Sequence, residues 1–173
     1  GPEKMWDEAC RRWFLLVNKV DLGKAKWGAL VKADRREMKE VEGMFLELAN
    51  QGHAHAAAQL GTMFELGKGV KINMVESFKW NCLGAANGNM FAQHNVGRVY
   101  ELGLLADVKI DLTEASKWYL KAAEQGVMLS QLAVGNFIIR GIGAPWQGSR
   151  ETEAYKWWVK AAEQGHPQAQ YSV

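Results

Sequence analysis

Cysteine is scarce in this chain of 173 residues, with only Cys10 and Cys82 present. Two thiols form at most one bridge, so no disulfide framework holds the fold, and the redox compartment stays open. Charge of one sign is equally scarce, the formal net charge being +2. The first 39 residues carry ten Lys or Arg against six Asp or Glu, and the remainder is slightly acidic. No basic block interleaves with stacking aromatics, so no nucleic-acid partner is expected. There is no long apolar run. The stretch from Trp13 to Val17 is short and charged on both flanks, too little for a membrane span or a signal peptide. An initiator Met is missing as well. The chain begins Gly1-Pro2, as tag-cleaving proteases leave it, and the expectation is that an upstream segment has been removed.

What is present argues for a folded chain. The hydrophobic fraction is 48% and there are eight tryptophans, so disorder is excluded and the length suffices for a core or a short solenoid. Internal repetition is the main signal. The glycines at 52, 88, 126 and 165 close similar segments and lie 36, 38 and 39 residues apart. Nine residues after the first three come Gly61, Gly97 and Gly135, and six further on Gly67, Gly103 and Gly141. Trp80, Trp118 and Trp157 each stand eight residues before a closing glycine. Only the interval from the second glycine to the tryptophan changes: it is 13, 15 and 16 residues. Insertions therefore fall in one loop, where they cost little closure entropy, and never in a helix, where they would rotate contacts out of phase.

Each unit predicts two helices. Helix A covers about 53–66, 89–102 and 127–140, with apolar pairs four apart, such as Leu60 and Phe64, or Val96 and Tyr100. The mid-helix glycines Gly61, Gly97 and Gly135 each forfeit about 1 kcal/mol against alanine, which predicts that two helix backbones approach closely there. The glycine six further on predicts a left-handed helix stop. Helix B covers about 75–87, 113–125 and 152–164, with Asn73, Asp111 and Ser149 as caps. Trp80, Trp118 and Trp157 are expected to be its structural aromatics, better buried than the following slot of Asn81, Tyr119 and Trp158. The segment boundaries we expect are a helical cap at 3–35, a degenerate half repeat at 36–52, and three repeats at 53–88, 89–126 and 127–165. The start of a further repeat follows at 166–173, and because Val173 would fall inside its helix A, more repeats are expected beyond it.

The motifs A-x-x-x-L-G or A-Q-x-x-V-G in helix A, G-x-G-V after it, and K-W-x-x-x-A-A-x-x-G in helix B recur in register. They are carried by Ala56, Leu60, Gly61, Gly67, Gly69, Val70, Lys79, Trp80, Ala85 and Gly88 and by their counterparts over residues 56–165. This combination resembles the Sel1-like repeat family, relatives of the tetratricopeptide repeats. Gly84 and Leu105 depart from the pattern, which touches loop geometry and not the fold. Some relatives staple each helix pair with cysteines, and this chain has no such pairs. The resemblance implies an all-α, right-handed α/α solenoid with an N-terminal helical cap, binding proteins or peptides. Bacterial members are often secreted or periplasmic, so the resemblance leans towards export; the residues themselves leave the location unknown.

A search for chemistry finds none that converges. His53, His55 and His94 lack a third ligand to make a metal site, and the acidic residues Glu76, Glu114 and Glu153 recur once per repeat as helix-start carboxylates. Cys82 shares its slot with Leu120 and Val159 and reads as a small buried hydrophobe, and Cys10 lies on an apolar face with Trp6 and Trp13. The Gly67-Lys68-Gly69 and Gly141-Ile142-Gly143 pieces follow helices and lack the ending of a phosphate loop. The expectation is a non-catalytic module with no metal, cofactor or small-molecule substrate, acting as an adaptor or scaffold. Its partner-binding residues on the concave helix A surface are Gln59, Thr62 and Glu65, then Asn95, Arg98 and Glu101, then Asn136 and Ile139. The alternative is a dedicated inhibitor or immunity protein that blocks an effector enzyme through the groove rim and the loop around Trp146. That tryptophan either folds back on the helices or stands exposed.

Overall fold

The structure, a computed structural model, describes residues 1–143, 146 and 148–172. All regular structure among these residues is helical: α1 (Pro2–Asp21), α2 (Lys32–Asn50), α3 (Ala54–Leu66), α4 (Met74–Ala86), α5 (Met90–Leu102), α6 (Leu112–Glu124), α7 (Met128–Ile139), α8 (Arg150–Glu163) and α9 (Pro167–Ser172), with a short 3-10 turn at Trp27–Ala29. The all-α class predicted from the periodicity is what forms. The helices gather into two compact units that meet in sequence between Gly88 and Asn89.

The first unit holds α1 to α4. Helices α1 and α2 run antiparallel, because Arg12 bonds Glu37 and Glu40 while Lys19, two turns on, bonds Asp34. Trp6 packs tilted against His53 with ring centroids 4.6 Å apart, and Trp13 stacks on Trp27 at 5.3 Å. This aromatic chain ties α1 to the first helix pair. The core beneath it is closed by Met38, Val41, Phe45, Leu48, Leu60 and Met63, none above 1% exposed.

The second unit holds two helix pairs, α5–α6 and α7–α8, followed by α9. The helix ends of all three pairs, α3–α4 of the first unit included, show why the sequence breaks where it does. Asn73 accepts from the N–H groups of Val75 and Glu76, Asp111 from that of Glu114, and Ser149 from that of Thr152, all through side-chain oxygens. Helices α3 and α5 end on Gly67 and Gly103 at φ of 66° and 60°, the left-handed conformation that a side chain would strain. The paired helices stay within one residue of 13, and the connections between them lengthen from one pair to the next.

The mid-helix glycines correct one expectation. Each makes room for a side chain, not a backbone. A Cβ on Gly61 would lie 2.6 Å from the Asn81 amide, and one on Gly97 would lie 2.8 Å from the Tyr119 ring. The third, on Gly135, would strike the Trp158 indole. The expected order of burial in helix B is reversed in α6, while Trp157 and Trp158 are alike half-buried. Tyr119 is 2% exposed, whereas Trp118 and Trp157 are only half-buried, each with a lysine ammonium over its ring. Trp80 alone of its series is buried. Cys10 and Cys82 are half-buried, not enclosed, and burial still pushes the Cys82 thiol up to about 11.

Candidate functional site

In the second unit α5 and α7 border a groove of about 350 Å³ whose floor includes Tyr119 from α6. Helix α5 contributes His94, Arg98, Glu101 and Leu102, which lie on one face because they are spaced by three, four and seven residues. Helix α7 contributes Leu129, Leu132, Ala133, Asn136 and Phe137 by the same logic, and Arg140 at its C-cap completes the wall. The Tyr119 ring crosses the gap left by Gly97, so its hydroxyl emerges among these residues and donates to Glu101 Oε2 at 2.6 Å. Burial first, and then the Glu101 carboxylate, hold that phenol protonated far beyond its usual range. In the next pair the Trp158 indole crosses Gly135 and donates to Asn136 Oδ1 at 3.2 Å. Two residues of the groove wall are thus fixed by side chains reaching through from the helix behind.

His94 sits deeper than its sequence position suggests. It shares a hydrogen bond of 2.8 Å with Ser130 and packs 5.4 Å from the Tyr119 ring. Burial, and secondarily the nearby Arg98 charge, depress its pKa to about 4, so the imidazole is neutral at ordinary pH. The Ser–His contact is not a nucleophilic pair, because Ser130 is 0% exposed and no substrate can reach its oxygen. The once-per-repeat glutamates do not converge either. Glu76, Glu114 and Glu153 each pair with the lysine three residues on, on the helix surface. Among the described residues there is no group of three metal-ligating side chains.

Of the partner-binding residues expected from the sequence, Arg98, Glu101 and Asn136 meet in this groove. Asn95 is half-buried outside its lining, and Ile139 is 41% exposed beside it. Gln59, Thr62 and Glu65 lie half-buried on α3, in the other unit. Trp146 packs back against the cluster around Ala115 and Phe137, with its indole N–H buried and unpaired. Ala144, Pro145 and Gln147 of the same loop lie outside the described residues, as does Val173.

Sequence reasoning missed His94, Tyr119 and Arg140. A signal for the first existed, since the equivalent positions in the neighbouring repeats are Ala58 and Leu132. A histidine in a slot otherwise small or apolar points inward. Arg140, one residue past the expected Ile139, carries its guanidinium 5.7 Å from the Phe137 ring.

A family profile described as Sel1 repeat matches residues 54–89, 91–127 and 129–166, more than half of the chain. The chain belongs to the Sel1 repeat family. Sel1 repeats generally mediate protein–protein interactions and are typically non-catalytic. Solved structures agree with this membership. A Sel1 repeat protein from Oxalobacter formigenes is 29% identical with a TM-score of 0.63, over 73% of this chain and 92% of that one. A protective antigen of uropathogenic Escherichia coli with an SLR fold is 26% identical with a TM-score of 0.69. The match takes in 98% of this chain but spans only 34% of the antigen. Helicobacter pylori cysteine rich protein B shares the fold at 19% identity and a TM-score of 0.58, over 80% of this chain and 96% of that one. No protein of curated function matches the sequence significantly. No helix among the described residues is long and apolar enough to cross a membrane.

Proposed function

We propose that this Sel1 repeat protein is a non-catalytic adaptor or scaffold that receives a protein or peptide partner in the groove between α5 and α7. The observation that carries the reading is the groove's composition. Exposed leucines, Leu102 at 54% and Leu129 at 49%, flank a polar centre that holds Arg98 and Arg140. Glu101 keeps its charge while accepting from the neutral Tyr119 hydroxyl, and two guanidinium groups against this one carboxylate make the lining net positive. Apolar shoulders beside guanidinium groups are the composition of interface anchors. A partner segment with an aliphatic side chain next to a carboxylate suits this surface.

The dedicated-inhibitor alternative depends on the loop around Trp146, and the inward packing of that ring removes its obvious projecting anchor. The experiment is peptide selection from a displayed random library, followed by affinity measurement on variants. Selected peptides should bind at least about tenfold more weakly to Arg98→Glu and Arg140→Glu, with helicity unchanged by circular dichroism. Peptides indifferent to both changes and sensitive to Trp146→Ala would overturn the groove reading in favour of the loop.

A further inference from the structure

The first unit carries a cleft that the repeat groove does not explain. It lies between α1 and α2, holds about 480 Å³, and is lined by Leu15, Leu16, Leu22 and Ala33. Leu16 is 2% exposed and forms the floor, whereas Leu15 and Leu22 remain 51% and 67% exposed. Leu22, the cap just past α1, lies seven residues from Leu15, which spaces them by about 10 Å, two turns. The small side chain of Ala33 leaves the opposite wall low.

The charges around this cleft are unequal. Its two carboxylates are already neutralised from within: Asp34 takes Lys19 at 2.5 Å and Glu37 takes Arg12 at 2.5 Å. The Arg12 guanidinium holds the Glu37 carboxyl below the usual range. Lys24 and Arg36 add two further cations to the rim. Arg36 comes only within 3.9 Å of Glu40, which Arg12 already engages at 2.5 Å. An adjoining depression bordered by Lys32 extends the positive rim to the start of α2.

We propose that this cleft is a second interaction surface, which docks an acidic amphipathic helix of a protein partner. Two antiparallel helices with apolar anchors two turns apart form the groove into which a third helix lays its own leucines. The carboxylates of that helix would meet Lys24 and Arg36. A small molecule fits less well, because pockets for small ligands enclose most of the ligand and both rim leucines here face solvent. An anionic bilayer also fits less well, because Leu16 at the floor is 2% exposed between two helices, where a flat lipid surface cannot descend to it.

The test titrates the full chain with a labelled helical peptide of Leu and Glu, about four turns long with its leucines on one face. Two control peptides replace Glu by Lys or Leu by Ser. Saturable binding of the Leu–Glu peptide alone is expected, weakened about tenfold by Leu22→Ser and about tenfold by the Lys24→Glu, Arg36→Glu pair. These side chains lie on the surface, so unchanged circular dichroism should accompany both variants. The proposal is overturned if the Leu–Glu peptide does not saturate, or if its binding ignores both variants. Leu22-dependent binding of phosphatidylglycerol vesicles without peptide binding would reassign the cleft to membranes. Leu22-dependent self-association in sedimentation, with no peptide binding, would reassign it to a second copy of the chain.

Discussion

In the first unit the gap at Gly61 is filled by Asn81, and in the second the gaps at Gly97 and Gly135 are filled by Tyr119 and Trp158. The backbone device is the same and the outcome is not. Asn81 is short and donates to the Ser77 carbonyl at 2.9 Å, while the Ser77 hydroxyl donates to the Gly61 carbonyl at 2.8 Å. Tyr119 and Trp158 are long enough to cross the helix and fix Glu101 and Asn136 on its far side. A polar plug locks one helix pair internally. An aromatic plug shapes a surface as well.

The comparison is broken most severely by removing the plugs. Tyr119→Ala should lose about 3–5 kcal/mol in urea denaturation, the cost of emptying a buried aromatic site. Asn81→Ala should lose only about 1–2 kcal/mol, since hydrogen bonds and little volume disappear. Equal losses would mean that the two plugs are equivalent.

Acid should separate the units next. His94 belongs to the second unit, and its counterpart in the first is Ala58. Its folded pKa of about 4 lies below the ordinary 6.5. Between these values the unfolded chain takes up a proton that the fold refuses, so stability falls as pH drops from 6.5 to 4 and levels off below. The full loss is roughly 3 kcal/mol. His94→Gln should flatten most of that slope in denaturation curves followed across the range.

A smaller effect follows from the gaps themselves. Gly97→Ala gains about 1 kcal/mol of helix propensity but drives a methyl into a rigid ring, for a net loss of about 1–2 kcal/mol in melting. Gly61→Ala should cost less, because Asn81 can swing away more cheaply than Tyr119. Smallest of all, Lys121→Gln removes an ammonium 4.4 Å from the exposed side of the Trp118 ring. It should shift stability by no more than about 0.5–1 kcal/mol.

These side chains also mark where the sequence could be read and where it could not. The helix pairs, their caps and the loop that absorbs insertions are written in glycine intervals and in Asn73, Asp111 and Ser149, which act locally. The plugs are not local. Asn81, Tyr119 and Trp158 differ in size and polarity, so hydropathy gives no common signal for their slot. What they share is a glycine facing them on the preceding helix, 20, 22 and 23 residues upstream, a distance that grows with the loop. The groove was legible for Arg98, Glu101 and Asn136. It was blurred for Asn95 and Ile139, each one residue from a lining position (His94 and Arg140), because neighbours at both i+3 and i+4 share a helix face.

The opening at Gly97 has a practical consequence for redesign. The Tyr119 part of the groove floor belongs to α6, not to the helices whose outer faces a partner would touch. A substitution at position 119 therefore changes the contour and hydrogen-bonding character beneath a bound segment while the flanking walls keep their residues. Specificity can be retuned from the rear of the repeat, much as a window display is changed from inside the shop.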